Sequence, residues 1–234
     1  MKKYSFLSLL MIITVLVSCN TKPVETLSAY AEFVDTIYWK TVSERAGKIV
    51  GELQLEDSVK GKVQDLVAAQ YYRINGVYDT NKACLDSLVA VAADSLTIDS
   101  IKVETSAKID AIVACQTAKI DSLQAGYLAA LSAVISPEQV DAVKDGMTYG
   151  VAPKTFEAFQ QMIPELTDDQ KAFIQNSLNE AREIAMTKGS SEEKHSVFGQ
   201  YKGKINNFLS EQGYDLAAKS KEWEEKLKAE GVQL

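Results

Sequence analysis

Apolar positions recur at helical spacing along almost the whole chain. Leu27, Tyr30, Val34, Ile37, Val42, Ala46, Ile49 and Val50 trace one stripe. A second helix is predicted from near Glu56, with Val59, Val63, Leu66, Val67, Gln70, Tyr71 and Ile74 on its apolar face. "INGVYDTN" (74–81) offers a kink at Gly76, and apolar spacing resumes with Leu85, Leu88, Val89 and Ala92. No alternation of period two competes with these patterns.

Residues 98–134 repeat. "IDSI" starts at Ile98, "IDAI" at Ile109, "IDSL" at Ile120 and "LSAV" at Leu131. Eleven residues over three turns is about 3.67 per turn, so one apolar stripe stays on one face of a long, nearly straight helix. Asp99, Asp110 and Asp121 sit beside that stripe. Successive acids are about 16 Å apart along the axis, too far to share one cation, so a solvated flank is expected.

Helix starts are written plainly. "SPEQ" (136–139) provides a Ser cap, Pro in the first turn and Gln at the third position; "TDDQ" (167–170) and Ser190 with Glu193 repeat the capping box. Gly189 and Gly213 suit helix stops. "MTYGVAP" (147–153) is expected to be the main loop of the second half, with helices near 137–146, 154–162, 168–187, 191–211 and 215–229. The predicted fold is all-α: an elongated helical bundle with a long antiparallel hairpin, 56–93 against 98–134, and a compact C-terminal helical group. One helical domain is expected over 29–234.

Composition adds a compartment. Met1-Lys2-Lys3 is followed by the apolar run "YSFLSLLMIITVLV" and then "LVSC", ending at Cys19. The run is short for a membrane span and has the order of a secretory leader. "LVSC" resembles the bacterial lipobox, which implies a signal peptide over 1–18, lipidation of Cys19 and a polar tether over 19–28. The expected location is the bacterial cell envelope, lipid-anchored, facing the periplasm or displayed outside. Loss of Lys2 and Lys3 takes the net charge from −7 to −9. So acidic a chain is a poor partner for nucleic acid, and membrane contact is expected through the anchor at Cys19. The remaining Cys84 and Cys115 are expected to stay unbridged. A hairpin turning near 94–97 places Cys84 opposite residue 107, two turns from Cys115.

Candidate chemistry gathers in "GSSEEKHSVFGQYKGKINNFLSEQGYD" (189–215), which holds the one histidine, His195. On a helix, His195 shares a face with Glu192, Phe198, Gly199 and Lys202. One reading makes His195, Tyr201, Lys202 and Asn206 a polar site for a ligand, with Tyr149 among the tyrosines able to line a sugar surface. The other has His195 hydrogen-bonded to a helix and the lysines facing solvent. Gly199 and Gly203 suggest a close helix approach. One His and two distant Cys make no ordinary zinc site, and phosphate loops, dinucleotide turns and nucleophile elbows are missing from the sequence, so no cofactor or metal is expected.

"ISPEQVDAVKDGMTYG" and "SEEKHSVFGQYKGKINNFLSEQGYDL" resemble the bacterial secreted-protein family called domain of unknown function 3826, over about residues 30–215. The resemblance implies one exported domain and carries no activity. "LSAVISPEQ" and "PELTDDQ" also resemble the helix starts of small periplasmic helical stress chaperones, although this chain is longer and more acidic. The expected function is a non-enzymatic binding or chaperone-like module with a protein or glycan ligand. The alternative is an enzyme or accessory protein in extracytoplasmic glycan handling, working around His195.

Overall fold

The computed structural model describes residues 36–94 and 99–231. The expected signal peptide, the expected tether with lipidation at Cys19, and the first isoleucine of the eleven-residue repeat lie outside them. Within the described residues the regular structure is entirely helical: α1 (Thr36–Gly51), α2 (Asp57–Asp94), α3 (Asp99–Ser132), α4 (Pro137–Met147), α5 (Val151–Met162), α6 (Asp168–Met186), α7 (Ser191–Glu211) and α8 (Leu216–Ala229). Among them, no helix is long and apolar enough to cross a membrane.

The expected hairpin is α2 against α3, two rods of roughly 57 and 51 Å. Side-chain amides fix its register: Gln70 Nε2 donates to Gln124 Oε1 at 3.2 Å and Asn81 Nδ2 to Gln116 Oε1 at 2.7 Å. Extending the Asn81–Gln116 pair by three residues brings Cys84 opposite about Val113. Cys115 is therefore closer than a turn at 94–97 implied, yet neither cysteine is bridged. α2 runs through Gly76 as continuous helix. The repeat behaves as a seam that deepens toward the body of the protein. Ile109 is half-buried, Ile120 and Leu131 are buried, and Asp110 and Asp121 face solvent.

Two cores result. The first joins α1, α2, the C-terminal end of α3 and α4 around Val42, Val50, Val63, Val67, Tyr127, Leu131, Val143 and Met147. The second joins α5, α6 and α7 around Phe159, Ile174, Leu178, Phe198, Ile205 and Leu209. α6 belongs to both, since Met186 packs in the first core. Tyr78 docks the hairpin on the α6–α7 turn. Its hydroxyl donates to the Thr187 carbonyl at 3.3 Å, and a Cβ on Gly189 would lie 3.0 Å from its ring.

All three capping boxes form, at Ser136/Gln139, Thr167/Gln170 and Ser190/Glu193. The loop after α4 is shorter than expected. α5 starts at Val151 and takes in Pro153, which is tolerated because first-turn N–H groups have no helical partner anyway. The packing role expected of Gly199 and Gly203 is not found: a Cβ at either would meet open space.

The close approach is at Gly146 instead. A Cβ there would sit 2.6 Å from Ile49 Cγ2, so α4 presses directly on α1. The β-branched Ile49 has little rotamer freedom with which to yield. We expect Gly146→Ala to lower the unfolding free energy by about 2 kcal/mol. In an Ile49→Ala background the same change should become neutral or favourable, because alanine outranks glycine in a helix by about 1 kcal/mol. Urea denaturation of the four variants tests this; an unchanged cost in the Ile49→Ala background would refute the contact.

Candidate functional site

The α4–α5 junction is the one place where a non-glycine residue among those described holds a positive φ. Tyr149 has φ 61° and Gly150 follows at φ 64°. For a tyrosine this backbone costs on the order of 1 kcal/mol or more, so the surroundings must hold it there. Four bonds do so. The Gly150 amide donates to the Asp145 carbonyl at 2.8 Å, and Thr148 Oγ1 to the Lys144 carbonyl at 2.9 Å. Lys154 Nζ reaches the Tyr149 carbonyl at 3.2 Å. From α7, Lys194 Nζ donates to the Met147 carbonyl at 3.0 Å.

Lys194 is 3% exposed, and no carboxylate among the described residues pairs with it. Its ammonium faces two aromatic rings, 5.0 Å from the Tyr71 centroid and 6.0 Å from that of Tyr149. Burial, reinforced by the nearby Arg45 charge, pushes it down to about 8. Arg45 reaches the same tyrosine, its guanidinium carbon 5.3 Å from the Tyr71 centroid. Tyr71 also donates from its hydroxyl to the Met147 carbonyl at 3.4 Å, and burial raises its pKa far above the usual phenol range.

Above these groups opens a cleft of about 610 Å³ between α1, α2 and the α4–α5 junction. Tyr71, Ile49 and Gly146 line it from the packed side, and Arg45, Lys48, Lys154 and Tyr149 from the solvent side. Two acids, Glu52 and Asp145, also line it. Asp145 is already neutralised by Arg182 Nη1 at 2.9 Å, whereas Arg45 and Lys48 have no carboxylate partner among the described residues. The cleft is thus locally cationic in a chain of net charge −7.

Of the residues singled out in the sequence, the fold brings two together. His195 stacks on Tyr149, with centroids 5.4 Å apart and planes 20° from parallel. His195 is exposed, and its Nδ1 lies 2.7 Å from the Ser191 carbonyl of its own helix. A carbonyl only accepts, so that contact places a proton on Nδ1. Of the five, Tyr149 lines the cleft; His195 reaches it only through that stack, and the other three stand apart. Lys202 and Asn206 are exposed on α7, about 10 and 16 Å farther along its axis than His195. Tyr201 is half-buried against the second core, with Lys204 Nζ 5.3 Å from its ring and Glu180 holding that lysine at 3.4 Å.

Lys194, Arg45 and Tyr71 as a unit escaped the sequence reading. One signal was available. Lys194 occupies the stripe position that Val197, Phe198, Ile205 and Leu209 continue, so a lysine stood where the helix wanted an apolar side chain.

Compared with known proteins, residues 39–229 match a family described as protein of unknown function (DUF3826). The chain has no match among curated proteins.

Proposed function

The chain belongs to the DUF3826 family, whose match extends from α1 to the end of α8, and from that premise we propose a non-enzymatic binding module of the bacterial cell envelope. In this reading Cys19 carries the lipid anchor, and the cleft between α1, α2 and the α4–α5 junction holds a small ligand. The observation that carries it is the strained Tyr149–Gly150 turn at the edge of a 610 Å³ cleft. Backbone strain persists where surrounding contacts enforce it, and such sites are often ligand clamps. The volume suits one small organic molecule. His195 has a ring stack, its own helix carbonyl and the Ser191 hydroxyl as partners, and no carboxylate partner among the described residues. That favours binding over catalysis. The exposed large apolar side chains among the described residues, Ile37, Val113, Tyr149 and Ile184, are spread over separate elements. Such scatter favours a small ligand over an unfolded client.

A thermal-shift screen of residues 20–234 against small sugars, sugar acids, amino acids and unfolded peptides tests the reading. At a ligand concentration one hundred times its Kd, stabilisation of about 2.7 kcal/mol is expected. Ala142 lines the cleft, and Ala142→Trp should abolish the shift while leaving the helical circular dichroism unchanged. Stabilisation by unfolded peptides alone, or a shift that survives Ala142→Trp, would overturn the cleft assignment.

A further inference from the structure

We infer that the cleft is built for an anion: it takes a ligand bearing a carboxylate or phosphate, placed against Arg45, Lys48 and Lys154 above the Tyr71 ring. The inference rests on the cleft being the ligand site and adds the chemical class of its occupant.

Three independent observations carry it. First, Arg45 and Lys48 lie three residues apart on α1, one helical turn, so both heads reach the same opening. Neither has a carboxylate partner among the described residues. Some lysines elsewhere on the surface do pair, as Lys60 does with Asp57, Lys82 with Asp86 and Lys204 with Glu180; what sets Arg45 and Lys48 apart is that both open onto one cleft. Two adjacent unpaired cations in so acidic a chain are a local reversal of sign.

Second, one of the two acids lining the cleft is already compensated. Asp145 is committed to Arg182, which is itself 7% exposed and anchored on α6. An incoming anion therefore meets Arg45, Lys48 and Lys154 with Asp145 already compensated, and the exposed Glu52 is the remaining acid of the lining.

Third, a further positive charge lies beneath. Lys194 is buried under Tyr71 and Tyr149 without a counter-ion, where protein rather than water screens its field. Burying an unpaired ammonium is costly and is rarely maintained without a partner. An anion beside Arg45, Lys48 and Lys154 would offset part of that buried charge as well. Tyr149, 40% exposed on the cleft lining, offers a ring surface for the carbon skeleton of the ligand.

Carboxylate and phosphate share this chemistry, so the probes separate them. Residues 20–234 are titrated calorimetrically with D-glucose, D-glucuronate, glucose 6-phosphate and inorganic phosphate. Glucose and glucuronate differ in one group, and phosphate alone lacks the ring. The expected result is binding of glucuronate, glucose 6-phosphate or phosphate, weakened by added salt, with glucose at least tenfold weaker. Arg45→Gln and Lys48→Gln, both at exposed positions, should each weaken the bound anion about tenfold without lowering Tm. Glucose binding as tightly as the charged probes would overturn the anion inference while leaving the cleft as a ligand site. No binding of any of the four at millimolar concentration would overturn the anion inference; stabilisation by an uncharged compound in the screen would then show the cleft reading still stands. Anion binding that is unchanged in the double variant Arg45→Gln/Lys48→Gln would place it elsewhere and sink the inference equally.

Discussion

Replacing Arg182 with alanine should lower the unfolding free energy by about 3 kcal/mol. The guanidinium is nearly buried and spans two acids of α4, with Nη2 2.7 Å from Asp141 and Nη1 2.9 Å from Asp145. It is the main polar bolt between α4, which packs in the first core, and α6, which runs through the second. The cost comes chiefly from what is left behind. Asp141 and Glu183 keep Lys144, at 3.7 and 2.8 Å, but Asp145 loses its ion pair while its side chain is 28% exposed. Partial hydration of Asp145 keeps the figure at the low end for a broken buried pair. Arg182→Lys should recover less than half, since an ammonium cannot bridge both carboxylates with the planar fork of arginine. Asp145→Asn combined with Arg182→Ala should cost clearly less than the sum of the two single changes, a coupling of roughly 2 kcal/mol by urea denaturation. Additive costs would show that the pair is no more than a surface contact. The same variant reports on the cleft. With Asp145 unpaired, its charge would oppose any anion beside Arg45, so anion affinity should fall although no contact residue has changed.

The helices were legible because each level of the sequence agreed with the next. Three capping boxes fixed the starts of α4, α6 and α7, since a Ser or Thr side chain accepting from the third backbone N–H leaves little choice of register. The eleven-residue repeat settled the α3 stripe, with Ile120 and Leu131 buried on it. The hairpin followed from two long stripes joined by few residues. What failed were positions where tertiary contact decides. Gly199 and Gly203 carry the small-residue spacing of a helix crossing but face open space, whereas the tight crossing uses the single Gly146. A glycine spacing reports only that approach is permitted; the partner's position decides whether it happens. The start of α5 was misplaced because Pro153 reads as loop, while in the first helical turn it costs no hydrogen bond.

The site was harder to read for a different reason. Its parts come from Arg45, Tyr71, Tyr149 and Lys194, which are up to about 150 residues apart in sequence. Periodicity within each helix marks Tyr71 as core and Arg45 as surface, and both statements are correct. The pairing of one with the other across the α1–α2 interface is a property of crossing geometry, which no single stripe encodes. The sequence singles out His195 because histidine is the usual titratable group near neutral pH. Burial perturbs the adjacent Lys194, because one residue along a helix is a rotation of about 100°, enough to move a side chain from solvent to core.

That perturbation sets the last expectation. In the unfolded chain Lys194 keeps its proton up to about pH 10.5, while in the folded protein burial and Arg45 lower its pKa to about 8. Between these values the unfolded state binds more protons than the native state, so stability from this group rises with pH. Below pH 8 the native protein carries a buried ammonium and its full cost; by pH 10.5 that cost is gone. The difference is about 3 kcal/mol at roughly 1.4 kcal/mol per pH unit. The groups facing it are Arg45 from α1, Tyr71 from α2 and Tyr149 from the junction, with no carboxylate among the described residues to compensate. Tyr71 and Tyr127 act in the opposite direction. Burial raises both, so the stability they contribute is intact below pH 10 and is lost as their unfolded counterparts ionise above it. Comparison with Lys194→Met removes that background, because both proteins share the tyrosines. Methionine nearly fills the same volume, and Tyr71 still donates to the Met147 carbonyl. The variant should be more stable than the parent at pH 7, and the gap should close by about 2 kcal/mol as pH rises from 7.5 toward 10. A gap that stays constant across that range would mean that the lysine is hydrated in solution, and the cation beneath the cleft would be lost with it.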